Sequence, residues 1–134
     1  MMCKIKFDNS SKDILNKLMK KGANINFKYD FGITPLMMAC YFNDEQLVSY
    51  LIEQKTDLNI NNTNMDNDTP LIIATYFNNI NIIKYLVNKK AKNLKNKYEE
   101  SAITIANTMK NKEIKEFLNS IYMGILYYLI NIYI

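Results

Sequence analysis

Few side chains in this sequence of 134 residues are suited to chemistry. There is no histidine, so neither a Ser–His nor a Cys–His nucleophile pair can be assembled. The two cysteines, Cys3 and Cys40, fit no metal-binding or redox spacing. The densest oxygen cluster is Asn64-Met65-Asp66-Asn67-Asp68, which has the look of a calcium loop. Such a loop ends on a bidentate glutamate, and at that place, eleven residues after Asp66, stands Phe77. Asp66 and Asp68 therefore read as turn residues at a hairpin tip. Lys89, Lys90, Lys92, Lys95 and Lys97 form a local basic run that reads as a solvated face rather than a site for an acidic partner. The inventory predicts a non-enzymatic chain with no catalytic residue, no metal ligand and no cofactor.

Composition narrows the class further. With 49% hydrophobic residues the chain has material for one core. The net charge of +4 is carried by lysine alone, without arginine. Specific phosphate recognition leans on the guanidinium fork, so no specific nucleic-acid partner is expected. No apolar run follows the first lysines, and the cysteines show no disulfide pattern, so the expectation is a reducing, cytoplasmic setting without a signal peptide. The crowding of Asn, Ile, Lys and Tyr is what AT-rich coding sequence produces, and as such it speaks to source rather than mechanism.

The elements that carry these residues come from an internal repeat. Residues 34–59 read TPLMMACYFNDEQLVSYLIEQKTDLN and return from Thr69 as TPLIIATYFNNINIIKYLVNKKAKN. Thr34-Pro35 and Thr69-Pro70 are 35 residues apart, as are Ala39 and Ala74, and Leu51 and Leu86. A weaker copy starts at Ser101 (SAITIANTMKNKEIKEFLN), and Ile14, Leu15 and Leu18 precede Leu47, Val48 and Leu51 by 33. A period of this length marks a stacked-repeat architecture. The expected fold is an all-α solenoid of helix-turn-helix repeats joined by short β-hairpin loops, about three repeats after an N-terminal half repeat. The divisions are 10–29, 30–62, 63–96 and 97–119 within a repeat domain of 1–119, then an apolar tail at 120–134.

Local signals place the elements. Residues 1–9 are expected to be irregular, because Lys4 and Lys6 break the apolar face. Ser10 or Ser11 caps a helix that runs to about Lys20, and Gly22 ends it. Gly32 supplies a positive φ before Thr34, whose hydroxyl caps a helix opened by Pro35. Asn43 and Asn78 stand where the chain reverses between paired helices, at 46–54 in one repeat and at about 70–77 and 80–89 in the next. Ala39 and Ala74 are small where helices approach closely, and Cys40 reads as a small packed residue. The third copy lacks proline at 102 and glycine at 99, so its hairpin and helix start are expected to be the least well specified.

These residues resemble the ankyrin repeat. Thr34-Pro35-Leu36, Ala39, Leu47-Val48 and Leu51-Ile52 match the family pattern, as do Thr69-Pro70-Leu71, Ala74, Ile82-Ile83 and Leu86-Val87. Gly22-Ala23-Asn24-Ile25-Asn26 matches its exit motif, and the resemblance covers about residues 10–119. The family's histidine is Met37, Ile72 and Thr104 here, and Lys55 and Lys90 replace its exit glycine. The resemblance implies a protein partner held on the concave side by inner helices and hairpin tips. By that alignment the contacts are Asp30, Phe31, Ile33, Tyr41 and Phe42, then Met65, Asp66, Asp68, Tyr76 and Phe77, then Lys97, Tyr98, Glu100, Thr108 and Met109. The repeated Tyr-Phe-Asn at 41–43 and 76–78 stands out, since aromatic anchors bring large area with few torsions to freeze. The tyrosines are expected to be the more exposed of each pair, the alternative being that one aromatic packs between repeats.

The tail, residues 121–134 (IYMGILYYLINIYI), is uncharged and shorter than the roughly 20 apolar residues of a membrane span. It reads first as a helix folding back to cap the last repeat. The alternatives are a seat in a membrane surface or partner groove, and a remnant without a role. With net hydrogen bonds worth about 1 kcal/mol each and the family's histidine network absent, the expectation is marginal stability. Differential scanning calorimetry should put the thermal midpoint no higher than about 65 °C; a midpoint well above that contradicts the expectation.

Overall fold

The computed structural model describes residues 9–54 and 57–133. Expectations for residues 1–8, Cys3 and Lys55 lie outside them. Among the described residues seven α-helices follow in order: α1 (Asn9–Lys20), α2 (Pro35–Tyr41), α3 (Glu45–Glu53), α4 (Pro70–Tyr76), α5 (Ile80–Asn88), α6 (Ala102–Thr108) and α7 (Lys112–Tyr133). Each inner helix packs on its own outer partner, α2 on α3, α4 on α5 and α6 on α7. Inner helices also pack on one another in the order α2, α4, α6, and outer helices in the order α3, α5, α7. This is the predicted helical solenoid. Among the described residues no β-strand forms, so the connections are hairpin-shaped loops rather than β-ladders.

Helix starts follow the cap chemistry. Thr34 Oγ1 accepts from the Met37 amide at 3.3 Å and Thr69 Oγ1 from the Ile72 amide at 3.2 Å, each with proline next in the chain. The third start, expected to be weakly specified, has a device of its own. Ser101 Oγ accepts from the Thr104 amide and Thr104 Oγ1 accepts from the Ser101 amide, a reciprocal capping box in place of proline. At α1 the expected cap at Ser10 or Ser11 is absent, since Asn9 and Ser10 are already helical. Leu15 is buried there, but Ile14 and Leu18 are exposed because no described helix covers the far side of this half repeat.

The core runs between the two helix rows and holds Leu36, Leu47, Val48, Leu51, Leu71, Ile82, Ile83, Leu86, Ile114 and Leu118. Met37 and Ile72, which stand where the resembled family has histidine, are fully buried. The structure therefore exchanges those hydrogen bonds for apolar burial, worth about 1.5–3 kcal/mol per large side chain. Cys40 and its counterpart Thr75 are also fully buried. Thr75 Oγ1 donates to the Leu71 carbonyl at 2.8 Å, and burial pushes the Cys40 thiol far above the usual thiol range, which leaves it unreactive.

The asparagines turn out to be structural. Asn79 caps α5 through Oδ1 and donates through Nδ2 to Asn43 Oδ1 of the preceding repeat at 2.8 Å. Asn111 caps α7 in the same way, and its Nδ2 reaches Asn78 Oδ1 at 2.9 Å. Asn43 and Asn78 have φ values of 56° and 61°, so one residue type both tolerates the left-handed turn and accepts the stitch. In the exit loops Asn26 Oδ1 accepts from the Asn59 amide and Asn61 Oδ1 from the Lys92 amide, each at 2.9 Å.

Three left-handed positions among the described residues are filled less well, by Phe31 (φ 61°), Lys90 and Glu99. Lys90 (φ 70°) stands at an exit and Glu99 (φ 62°) at a hairpin tip, where Gly32 (φ 74°) serves the first tip. A Cβ at Gly32 would also lie 3.2 Å from the Asn64 Cα of the neighbouring tip. Lys90→Gly and Glu99→Gly should therefore each raise the unfolding free energy measured by urea titration, by up to about 1 kcal/mol after the entropic cost of glycine. Gly32→Ala should lower it. A fall in both glycine-gaining variants would show that contacts of Lys90 and Glu99 outweigh their backbone strain.

Candidate interaction face

Three hairpin tips touch, and the second and third are built alike. In the second, Asn64 Oδ1 accepts from the amides of Asp66 and Asp68, both at 2.9 Å. In the third, Asn96 Oδ1 accepts from the amides of Tyr98 at 2.9 Å and Glu100 at 3.0 Å. Asn64 and Asn96 are the internal scaffolds of these turns. At the equivalent place in the first tip stands Tyr29, and a single 3₁₀ turn, Asp30–Gly32, closes it with Phe31 at φ 61°. Backbone bonds join neighbours, from the Met65 amide to the Phe31 carbonyl and from the Lys97 amide to the Asp66 carbonyl, both 2.9 Å. The tips thus form one continuous band.

Large side chains stand out from that band. Phe31 is 52% exposed, Met65 70% and Tyr98 46%, one from each tip. Asp30 is exposed beside Phe31. Asp66 is largely covered and ion-paired with Lys97, whose ammonium also lies 5.1 Å from the Tyr98 ring centroid. The contact with Asp66 raises the Lys97 pKa.

Two predicted contacts do not belong to this surface. Ile33 is fully buried and Asp68 only 1% exposed. Both stand just before a helix cap, where the side chain points into the stem between neighbouring hairpins rather than outward. Asp68 Oδ1 accepts from Asn96 Nδ2 at 2.9 Å, across the repeat boundary. Burial raises its pKa, and the amides of Asn96 and Asn64 oppose that shift.

The paired aromatics also differ from expectation. Tyr41, Phe42 and Tyr76 are half-buried, and Phe77 is the more exposed member of its pair. Tyr41 and Phe77 meet edge to face with centroids 5.7 Å apart, which links consecutive inner helices by an aromatic contact. The Tyr76 hydroxyl donates to Glu100 Oε2 in the next repeat, and Asn96 Nδ2 reaches the same oxygen at 3.1 Å. These bonds hold the Glu100 carboxyl below its usual range.

At the first tip two exposed aromatics went unpredicted. Phe27 and Tyr29, 52% and 38% exposed, form an edge-to-face pair with centroids 5.1 Å apart beside the first tip. The alternation Ile25, Phe27, Tyr29 was the signal, with Ile25 buried and the aromatics turned out. Among the described residues no group of three His, Cys, Asp or Glu side chains could hold a metal ion.

The tail departs most from its first reading. It does not fold back. Residues 121–133 continue α7 as one unbroken helix of 22 residues, more than twice the 9 of α3 or α5. Its first turns pack through Ile114, Leu118 and Tyr122, whereas Met123, Ile125, Leu126, Leu129, Ile130 and Ile132 are 45–58% exposed. No described helix is long and apolar enough to cross a membrane.

Burial and the neighbouring Glu100 together push the Tyr76 phenol above the usual tyrosine range. The folded state thus holds that proton more tightly than the unfolded chain. The resulting stability is complete below the ordinary tyrosine pKa and is lost as pH climbs through the raised value. Ultraviolet titration should show a late-ionising phenol that Tyr76→Phe removes and Glu100→Gln shifts downward; an unchanged profile in both variants would refute this.

Compared with known proteins, the chain matches the family model for ankyrin repeats in three copies, over residues 1–97 and 56–125. No curated protein matches it. The matched spans cover most of the sequence, and their paired helices, Thr-Pro caps and left-handed turns are those of the structure described above: the chain belongs to the ankyrin-repeat family.

Proposed function

We propose that this chain, a member of a family whose repeats are generally protein–protein interaction modules and typically non-enzymatic, binds a protein partner across its hairpin band and the adjoining inner-helix ends. The observation that supports this reading is the row of Phe31, Met65 and Tyr98, one large exposed side chain on each of three hydrogen-bonded tips. The backbone bonds between tips hold these anchors in place before a partner arrives, which lowers the entropic cost of ordering them. Phe77 and the half-buried Tyr41, Phe42 and Tyr76 extend the surface onto the inner helices, and Asp30 and the Asp66–Lys97 pair form its polar rim. Ile33 and Asp68 support the stems from below. A cytoplasmic setting belongs to the same proposal.

A second reading is carried by α7. Its exposed apolar extension fits a repeat stack that acts as scaffold while the extension contacts a membrane surface or an obligate subunit.

The tips can be tested without disturbing the core. A Phe31→Ala/Met65→Ala/Tyr98→Ala variant should keep the native circular dichroism spectrum and thermal midpoint. In an affinity pull-down followed by calorimetry on the captured protein, it should lose at least about 30-fold in affinity, the equivalent of one lost anchor. Equal capture by both chains would remove the tips as the recognition face.

A further inference from the structure

The extension of α7 emerges beside a basic loop. Lys90 and Lys92 line a groove with Val87, Ile121, Tyr122 and Ile125. The Tyr122 hydroxyl donates to the Ala91 carbonyl at 2.6 Å and ties loop to helix. Among the described residues neither lysine has a carboxylate within ion-pair distance, in contrast to Lys84, Lys95, Lys97 and Lys112. Lys89, next to them, lies over the Tyr85 ring at 5.8 Å. The base of the extension therefore presents positive charge without countercharge.

The extension itself is apolar on more than one side. Ile125, Leu129 and Ile132, at helical spacing, continue the stripe that Ile114 and Leu118 bury in the domain. Leu126, Ile130 and Tyr133 lie along another face and are 48%, 48% and 85% exposed. A helix seated in a protein groove needs one apolar stripe, whereas a helix apolar around most of its circumference suits surroundings that are apolar on every side. Tyrosines along it suit the boundary between hydrocarbon and headgroups. Apolar insertion and a neighbouring basic patch reinforce one another at an anionic bilayer.

We propose that residues 121–133 insert into the surface of an anionic lipid bilayer, with Lys90 and Lys92 set against its headgroups. This rests on the second reading above and is independent of the hairpin tips. It also favours a bilayer over a second copy of the chain, which would use one stripe of α7 and gain nothing from uncompensated lysines.

Flotation of the full chain with vesicles of phosphatidylcholine, alone or mixed with phosphatidylserine, tests it. The native chain should float with the mixed vesicles. Lys90→Gln/Lys92→Gln should reduce that partitioning by about fivefold per lysine, about 25-fold together, at physiological salt. Ile125→Asp/Leu129→Asp and, separately, Leu126→Asp/Ile130→Asp should each abolish it while the circular dichroism of the repeats is kept. No flotation of the native chain, equal binding to neutral vesicles, or loss in only one of the two α7 variants would overturn the proposal. So would a native dimer in sedimentation equilibrium that Ile125→Asp/Leu129→Asp alone dissociates, which would make a second copy the occupant. Because the readout is lipid binding, none of these results bears on the hairpin band.

Discussion

How closely the inner helices approach one another governs everything else in this stack. Ala39, Ala74 and Ala106 are completely buried on α2, α4 and α6, the three helices that pack in series. A larger side chain at any of them would push neighbouring repeats apart. The backbone bonds between hairpin tips, the aromatic contact of Tyr41 with Phe77 and the bond from Tyr76 to Glu100 all span the same repeat boundaries. So do the asparagine stitches on the other side of the helices. One spacing must satisfy all of them, because packed interiors accommodate little deviation. The missing Cβ of Gly32 sets the same limit at the tips.

Polar and apolar work are divided in an orderly way. The helix interior is dry at Met37 and Ile72, and hydrogen bonding is moved to the two ends of each helix pair, where asparagine supplies both donor and acceptor. The second and third tips rely on Asn64 and Asn96 in the same way. Where asparagine is absent, backbone geometry substitutes, as with Phe31 and Gly32 in the first tip. Among the described residues Asp68 is the one carboxylate drawn fully inside, and it is held by two asparagine amides rather than by a cation.

The repeat period, the Thr-Pro starts and the left-handed turns at Asn43 and Asn78 were legible in the sequence because each is a local rule that needs no knowledge of neighbours. The candidate surface was legible only where alignment and exposure coincide, as at Phe31, Met65 and Tyr98. Ile33 and Asp68 could not be sorted from their neighbours, since a tip residue and a stem residue differ by one place in the chain and by the full depth of the hairpin. The order of exposure at Phe77 and Tyr76 depends on Glu100, a partner 24 residues away that no periodicity announces. Asparagine looked like a compositional accident because its role is spread over pairs about one repeat apart, such as Asn43 with Asn79 and Asn78 with Asn111. The extension of α7 was misjudged for a different reason: Ile, Tyr and Asn have only middling helix propensity and Gly124 a poor one, so no local rule announced that the helix runs on unbroken through 121–133.

The asparagine stitches and the backbone bonds between tips also share a direction, while the bonds from Tyr76 to Glu100, Lys28 to Thr63 and Lys84 to Glu113 run the other way. Asn79 donates to Asn43, Asn111 to Asn78, Met65 to Phe31, Lys97 to Asp66 and Asn96 to Asp68, in each case from the later residue to the earlier. For the stitches and tip bonds a ribosome delivers the acceptors first. Carbonyl and carboxylate oxygens of an emerged repeat stay hydrated until the next stretch of chain brings the amide groups that replace the water. Each repeat is thus completed by its successor, and the order of synthesis is also the order in which the stack can close.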